Sequence, residues 1–191
     1  TLTYSVTPNF NGCDGETFDV VITVNPTVGV DAIPDQVLCN GDNTLAVDFG
    51  TSIEDDVDQD SGEISYTWTN DNTDIGLAAS GTGNISSFTT TNSTTAPITA
   101  NIIVSSVYTY NDISCEGESE TFSITVNPSP QVNFSEDEQF ITSGDTTVPV
   151  ILSSPTNGVT FSWTAEAENG ITGLTTISGT DTISAETLFN T

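Results

Sequence analysis

The sequence contains no lysine, no arginine and no histidine, whereas aspartate and glutamate together number 27 and give a formal net charge of −27. About a quarter of the residues of an ordinary domain are charged, with both signs represented. Without cationic side chains the chain forms no Lys–carboxylate or Arg–carboxylate salt bridge, and it cannot neutralise the phosphates of a nucleic acid. We therefore expect no nucleic-acid partner. The uniform negative charge also favours an extended, soluble chain, because its parts repel one another.

The same absences remove most catalytic chemistry. The chain offers no His or Lys base, no Arg clamp and no Gly-x-Ser-x-Gly nucleophile elbow. Paired carboxylates catalyse glycoside hydrolysis in other proteins, but among 27 acids some pairs approach by chance. Three widely spaced cysteines without histidine do not form a zinc site, and no apolar run approaches the roughly 20 residues of a membrane helix. We expect a chain that is not an enzyme.

A repeated segment dominates what the sequence does contain. Residues 13–26 read CDGETFDVVITVNP and residues 115–128 read CEGESETFSITVNP, an offset of 102 residues. The segment 64–69, which holds Trp68, is echoed by 159–164 with Trp163. The segment 35–42 is echoed by 138–145. A fixed period indicates a tandem array. We expect the C-terminal strands of one repeat at 1–26, a complete repeat at 27–128 and the N-terminal part of the next at 129–191, within a longer protein.

The complete repeat has the pattern of an all-β domain. Residues 44–49 alternate with Leu45, Val47 and Phe49 on one face, and about seven such short strands are separated by Gly, Asn, Asp and Pro. Seven strands in about a hundred residues, with Trp68 on the third, predict an immunoglobulin-like β-sandwich. Because Pro26 and Pro128 follow terminal strands directly, and Pro stiffens a short joint, we expect sandwiches stacked end to end.

The cysteines suggest a disulfide, which would stabilise a domain that has no salt bridges. A Cys39–Cys115 disulfide would close a loop of about 75 residues and stabilise the fold by about 4 kcal/mol; the alternative is two free, buried thiols. The partner of Cys13 would lie upstream of Thr1. Thr142 stands where Cys39 maps in the third repeat, so we expect no bridge there.

One acidic loop resembles a calcium site. Asp56, Asp58 and Asp60 are spaced by two, and Gly62 and Glu63 follow. Calcium takes six to eight oxygen ligands, often from an Asp-x-Asp-x-Asp loop with a glycine turn. The loop departs from the EF-hand pattern, since its Gly falls one place late and the bidentate Glu is missing. The alternative is a solvated acidic loop. A second polar cluster, at residues 70–74, is explained by loop chemistry alone.

Aromatic residues form the remaining candidate ligand contacts. Tyr66, Trp68, Phe161 and Trp163 together suggest a platform for stacking sugars, but the two tryptophans are more simply core residues. Tyr108 and Tyr110 lie near the end of a long strand and are the better candidates for contact with a ligand.

Together these motifs carry a family resemblance. Val-Leu-Cys-Asn-Gly-Asp at 37–42, Tyr-Thr-Trp-Thr-Asn at 66–70, Cys-Glu-Gly at 115–117 and Phe-Ser-Ile-Thr-Val-Asn-Pro-Ser-Pro at 122–130 resemble the PKD-like repeats of giant Bacteroidota cell-surface adhesins. The gliding-motility adhesins of flavobacteria, of the SprB type, are similar. The resemblance implies type IX secretion and display as a filament at the outer membrane. It also suggests O-glycosylation of Thr146 and Thr182, which lie in Asp-Thr-Thr and Asp-Thr-Ile sequences.

These observations predict a structural stalk segment of a large secreted adhesin for surface attachment and gliding. Its partners would be neighbouring repeats, the secretion and motility machinery, and an extracellular surface or polysaccharide. Two alternatives remain, a polysaccharide-binding module and an accessory domain of a secreted hydrolase. Calcium is the one cofactor that the sequence suggests.

Overall fold

The computed structural model describes residues 1–25, 27–51 and 62–191, which consist almost entirely of strands and loops. Within these ranges no helix has the length and apolar character needed to cross a membrane. The one helical element in the described ranges is a 3-10 turn, Thr73–Ile75. The strands are β1 Leu2–Val6, β2 Asn9–Phe10, β3 Cys13–Asp14, β4 Phe18–Ile22, β5 Gln36–Cys39, β6 Glu63–Asn70, β7 Ser80–Thr82, β8 Ile98–Tyr110, β9 Ile113–Glu116, β10 Glu120–Asn127, β11 Asn133–Phe134, β12 Val150–Ser153, β13 Ser162–Thr164, β14 Ile171–Thr172, β15 Ser178–Thr180, β16 Thr182–Ile183 and β17 Phe189–Asn190.

Strand pairing stays within three stretches of the chain. Residues 1–25 form two antiparallel pairs, β1 with β4 and β2 with β3. Residues 27–128 form one sheet in the order β5-β10-β8-β6-β7, with β9 paired to β8. The remaining strands pair among themselves within 129–191. Trp68 and Trp163 therefore belong to different sheets, on β6 and β13.

Residues 27–128 fold as an immunoglobulin-like sandwich. The second layer consists of the segments 43–47 and 85–89, which pair antiparallel, with Val47 N donating to Ile85 O at 2.8 Å and Thr44 N to Phe88 O at 2.9 Å. The first layer places β6, β8 and β10 side by side, and β7 extends it beyond β6. This division of strands between two layers, with the Trp on the third strand, is that of the immunoglobulin fold.

The core lies between these layers. Trp68 is 8% exposed, so its predicted place in the core is confirmed. In β8 and β10 every second side chain is buried, which is the two-residue period of a strand with one face in the core. The core cluster comprises Val47, Phe49, Trp68, Ile75, Leu77, Ile85, Ala100, Ile102, Val104, Phe122, Ile124 and Val126.

Two details of the core differ from the sequence prediction. Leu45 is 75% exposed instead of sharing a buried face with Val47 and Phe49. The cause is local: the side-chain amide of Gln36 donates to Leu45 O at 3.3 Å and its carbonyl accepts from Leu45 N at 2.9 Å, which interrupts the strand. Ile75, the last residue of the 3-10 turn, and Leu77, in the loop after it, are also buried, although neither lies in a strand.

Candidate load-bearing clamp and joints

The first candidate functional feature is the parallel pair formed by β5 and β10. Four residue pairs lie in register, from Gln36 opposite Ile124 to Cys39 opposite Asn127. Backbone N of Asn40 extends the pairing by donating to Asn127 O at 2.8 Å. At the other end, Ser123 N donates to the carboxylate of Asp35 at 2.6 Å. We call residues 35–40 and 123–127 the clamp.

The clamp joins the two ends of the complete repeat. Because β5 and β10 are parallel, the chain enters at one end of the sandwich and leaves at the opposite end. Tension between these ends shears the two strands along their length. In shear the clamp hydrogen bonds share the load and must break together, whereas a peeled pair opens one bond at a time. Each bond contributes only about 0.5–1.5 kcal/mol to equilibrium stability, so the geometry matters more than their number.

The chain enters the repeat through a tight contact at Val28. This side chain is 1% exposed, and the Ser106 hydroxyl donates a hydrogen bond to its carbonyl oxygen. A Cβ built at Gly117 would lie 1.6 Å from the same oxygen. Gly117 N also donates to Ser106 O at 3.0 Å. The repeated Cys-x-Gly motif therefore provides the glycine that lets the Val28 backbone approach.

Side chains also connect each joint to the sandwich. Asn25 Nδ2 donates to the carbonyl of Tyr110 at 3.5 Å, at the end of β8. After β10, Pro128 is buried and Asn40 Nδ2 donates to Ser129 Oγ at 3.1 Å. The joints thus have contacts besides the peptide bond itself, and these contacts oppose bending.

The predicted Cys39–Cys115 disulfide is absent, and the geometry forbids it. All three cysteines, Cys13 included, are free thiols. Cys39 lies opposite Asn127, beside the Ile98 end of β8, whereas Cys115 lies opposite Tyr108, ten residues further along β8. Ten strand residues span roughly 33 Å, whereas bridged Cα atoms lie about 4.4–6.8 Å apart. The alternative, two free buried thiols, is wrong for Cys39, which is exposed, and Cys115 is half-buried.

The turn at Cys39 recurs at Thr142 and does not require a thiol. Cys39 N donates to the Asp42 carboxylate at 3.1 Å, and Thr142 N donates to the Asp145 carboxylate at 3.2 Å. The glycines between them have φ angles of 92° and 94°. The backbone of the first residue and the Asp side chain build the turn, so the thiol takes no part in it.

Of the predicted calcium ligands, only Glu63 lies within the described residues. Asp56, Asp58 and Asp60 lie outside the described residues. Glu63 begins β6 opposite Thr109 and is exposed. Among the described residues, no group of three or more His, Cys, Asp or Glu side chains is placed to hold a metal ion.

The polar cluster at residues 70–74 organises its own loop. Buried Asn70 donates to Leu77 O at 3.1 Å and to Ala78 O at 3.2 Å. Asn72 caps the 3-10 turn by accepting from Asp74 N at 3.1 Å. The Asp71 carboxylate accepts hydrogen bonds from the side-chain Nδ2 of Asn101 at 2.8 Å and from the backbone N of Asn101 at 2.7 Å. These bonds lower the pKa of Asp71, the Asn101 side chain contributing most.

The aromatic candidates fall into two groups. Tyr108 is 8% exposed, so the prediction that it contacts a ligand is wrong. A Cβ at Gly62 would lie 2.1 Å from its ring atoms, which shows how closely the backbone covers the ring. Tyr110 and Trp163 are half-buried. Burial raises the pKa of Tyr66, and the charge of Asp31 adds to the effect.

The pairing of a tryptophan with a glycine on the neighbouring strand occurs twice. In the sequence, each of these glycines lies in a Ser-Gly-Thr segment. Trp68 lies opposite Gly81 on β7, and Trp163 lies opposite Gly179 on β15. A Cβ at Gly81 would lie 2.3 Å from the Trp68 ring, and one at Gly179 would lie 2.6 Å from the Trp163 ring. Each glycine leaves space for the indole to lie across the neighbouring strand.

Both candidate glycosylation residues lie at the surface. Thr146 and Thr182 are exposed. Thr146 Oγ1 lies 2.7 Å from Thr187 Oγ1, and Thr182 pairs with Ile151 in β12. Glycosylation at these positions stays a prediction.

Comparison with known proteins assigns no function to the chain. No protein-family model matches the chain, and no curated protein matches it. Among solved structures, the chain is similar to the N-terminal eight Ig domains of Down Syndrome Cell Adhesion Molecule isoform 1.30.30, with 15% identity and a TM-score of 0.40. The alignment covers 97% of this chain and 26% of that chain. The fold assignment rests on the strand topology of residues 27–128.

Proposed function

We propose that this chain is a load-bearing stalk segment of a large secreted adhesin, displayed outside the cell and used for surface attachment. The observation that carries the proposal is the clamp, which connects the two ends of the complete repeat in shear geometry. A domain whose termini leave from opposite ends, with their strands paired in parallel, suits the transmission of tension along an array.

Charge and joints support the same function. All side-chain charges are negative, so successive repeats repel one another and an extended array is favoured over a collapsed one. The contacts of Asn25 with Tyr110 and of Asn40 with Ser129 limit bending at the joints. The resemblance to PKD-like repeats adds the finer proposal: type IX secretion, association with the outer membrane and movement by a gliding machinery.

The alternative functions lack a corresponding observation. A polysaccharide-binding module needs exposed aromatic rings on which sugars stack. In the described part of the complete repeat Trp68, Tyr108 and Phe122 are buried, and Tyr66, Phe88 and Tyr110 are half-buried. A cleft of about 420 Å³ opens beside residues 31–36 and 45–50, with Asp31, Asp35 and Asp48 in its lining. It contains no aromatic side chain. An accessory domain of a hydrolase has no structural feature that would distinguish it from a stalk domain.

Single-molecule force spectroscopy tests the proposal. The 191-residue chain is held through handles at its two ends and extended at constant speed. We expect one force peak for residues 27–128, with a gain in contour length of roughly 350 Å, at about 3.5 Å per residue, less the folded end-to-end distance. Extension without a distinct peak, at forces where thermal opening dominates, would refute a load-bearing function. Binding to a panel of polysaccharides on the same protein would instead favour the module.

A further inference from the structure

A buried asparagine, Asn92, lies beside the end of the clamp where the chain leaves the complete repeat. Its side chain is 4% exposed and forms four hydrogen bonds. Nδ2 donates to Val126 O at 2.8 Å and to Ala96 O at 2.9 Å, and Oδ1 accepts from N and Oγ1 of Thr94 at 2.9 and 2.8 Å. An ionised aspartate of the same shape has no donors, so only a side chain that both donates and accepts can form these bonds.

The bonds of Asn92 reach both strands of the clamp. Val126 belongs to β10, where it lies opposite Leu38 of β5. Backbone N of Asn92 donates to Oδ1 of Asn40, the residue directly after β5, at 2.7 Å. Asn40 N in turn donates to Asn127 O at 2.8 Å. One buried residue therefore holds the end of β5 and the end of β10 at the same time.

A neighbouring residue, Thr90, fixes the turn that ends β5. Thr90 is 1% exposed, and its hydroxyl donates to Cys39 O at 2.8 Å and to Asp42 O at 3.0 Å. Thr90 thus contacts the turn of residues 39–42 alone. Asn92 is the residue that connects this turn to β10.

Part of this arrangement recurs in residues 129–191. By strand pairing, Asn190 is the counterpart of Asn92. Its backbone N donates to Ser143 Oγ at 3.1 Å, as Asn92 N donates to Asn40 Oδ1. The turn residue thus changes from asparagine to serine, while the asparagine beside it and its bond to a side-chain oxygen of the turn are present in both repeats.

The register of the clamp depends on such bonds because the hydrophobic pattern does not specify it alone. A slip by one residue would turn Leu38 away from the core, whereas a slip by two keeps it on the same face. β5 has only four residues, so few ladder bonds oppose a slip. Moving β5 by two residues displaces it by about 7 Å, which would carry Asn40 out of reach of Asn92.

We propose that Asn92 is the positioning residue of the clamp, which keeps β5 and β10 in register by bonding to both. This role deepens the proposed function and rests on it in one respect, since tension must shear the two strands along their length. A slip along the strands is the displacement that the bonds of Asn92 oppose. Asn92 therefore helps to decide the force at which the repeat opens.

A second buried asparagine, Asn70, provides a matched control away from the clamp. It is 7% exposed, and its Nδ2 likewise donates to two carbonyl groups, both in its own loop. Asn92→Ala and Asn70→Ala remove side chains of equal size and leave buried carbonyls unpaired, so both should lower the urea midpoint. Their local effects should differ, and native-state hydrogen exchange of the full chain, followed by NMR, measures this difference.

Two backbone amides report on the two places. The amide of Asn40 reports on the clamp, and the amide of Gly76, which donates to Thr73 O at 3.0 Å, reports on the loop of Asn70. Asn92→Ala should raise the exchange rate of the Asn40 amide by roughly tenfold or more relative to that of Gly76. Asn70→Ala should give the opposite pattern. The proposal is overturned if Asn92→Ala accelerates both amides by the same factor, or if it leaves the Asn40 amide unchanged.

A milder pair of substitutions tests the same contact even if Asn92→Ala fails to fold. Asn40 is only half-buried. Asn40→Ser retains an oxygen that can accept from Asn92 N, as Ser143 does for Asn190, whereas Asn40→Ala removes the acceptor. Both variants lose the bond to Ser129, so its effect cancels. After correction for intrinsic exchange rates, the amide at position 40 should exchange faster in Asn40→Ala and near the native rate in Asn40→Ser. Equal acceleration in both variants would contradict the role of Asn92.

Force spectroscopy separates this role from the proposed function. If Asn92→Ala loosens the clamp in hydrogen exchange but the repeat still unfolds at the native force, Asn92 positions the clamp and the load-bearing function is refuted. If exchange at position 40 does not respond to Asn92→Ala or to Asn40→Ala, the positioning role is wrong at any unfolding force.

Discussion

Replacing Gly117 by alanine tests how the chain is held where it enters the complete repeat. The new Cβ would lie 1.6 Å from the carbonyl oxygen of Val28 and 2.5 Å from the Ser106 hydroxyl. Strand β8, which carries Ser106, is held in the core by its buried side chains. The segment containing Val28 must therefore move away from β8, which exposes its side chain and breaks the hydrogen bond from Ser106.

The magnitude follows from what is lost. Burying a valine side chain contributes about 1.5–3 kcal/mol, and one hydrogen bond contributes about 0.5–1.5 kcal/mol. Alanine also lowers the conformational entropy of the unfolded chain, which offsets about 0.4–1 kcal/mol of this loss. We expect Gly117→Ala to lower the free energy of unfolding by about 2–3 kcal/mol. For a domain of this size that is a fall in melting temperature of roughly 10–20 °C.

Urea unfolding followed by tryptophan fluorescence measures this change. Trp163→Phe, introduced throughout, leaves Trp68 as the reporter. Gly29→Ala is the matched control, because a Cβ there would meet nothing within 4 Å, and it should leave stability unchanged or slightly higher. Val28→Ala and Gly117→Ala act through one contact, so their combined effect should be smaller than the sum. A Gly117→Ala variant as stable as Gly29→Ala would refute this description of the site.

Three further predictions concern the chemistry of the chain. All three cysteines should react with an alkylating reagent in the denatured protein without reductant; protection of Cys39 and Cys115 alone would contradict the separation of the two thiols. Because hydrogen bonds lower the pKa of Asp71, its carboxylate stabilises the fold above the unfolded pKa of about 3.9, and this stability is lost as pH falls through the folded pKa. The urea midpoint of the native chain should therefore exceed that of Asp71→Asn at pH 7, and the difference should disappear at strongly acidic pH; a difference independent of pH would show that the Asn101 contacts do not depend on the charge. If Asp56, Asp58, Asp60 and Glu63 bind calcium, millimolar calcium should raise the melting temperature relative to EGTA, and Asp58→Asn should abolish the shift; identical melting curves would remove the calcium hypothesis.

The sequence predicts the fold class well because the signals that it uses are local. Alternating side chains in β8 and β10 indicate a buried face directly, and both strands have that face. The Trp on the third strand is likewise recognisable from its neighbours. Such patterns depend on the two-residue period of a strand and need no knowledge of how strands are arranged.

The site could not be predicted equally well, because its parts are brought together by topology. The disulfide prediction failed since nothing local shows that Cys39 and Cys115 lie at opposite ends of β8. Gly117 has its function because Val28, far away in sequence, passes over it. The exposure of Leu45 depends on a side chain nine residues earlier, that of Gln36.

The most direct test of the account compares two aspartate substitutions under force. Asp35→Ala removes the carboxylate that accepts from Ser123 N in the clamp, whereas Asp71→Ala removes hydrogen bonds to β8 outside the clamp. With the chain held at its two ends, Asp35→Ala should lower the unfolding force of residues 27–128, and Asp71→Ala should leave the force near that of the native chain while still lowering the urea midpoint. If the two variants unfold at the same force, or if the unfolding force of each variant falls only in proportion to its urea midpoint, the clamp does not carry the load.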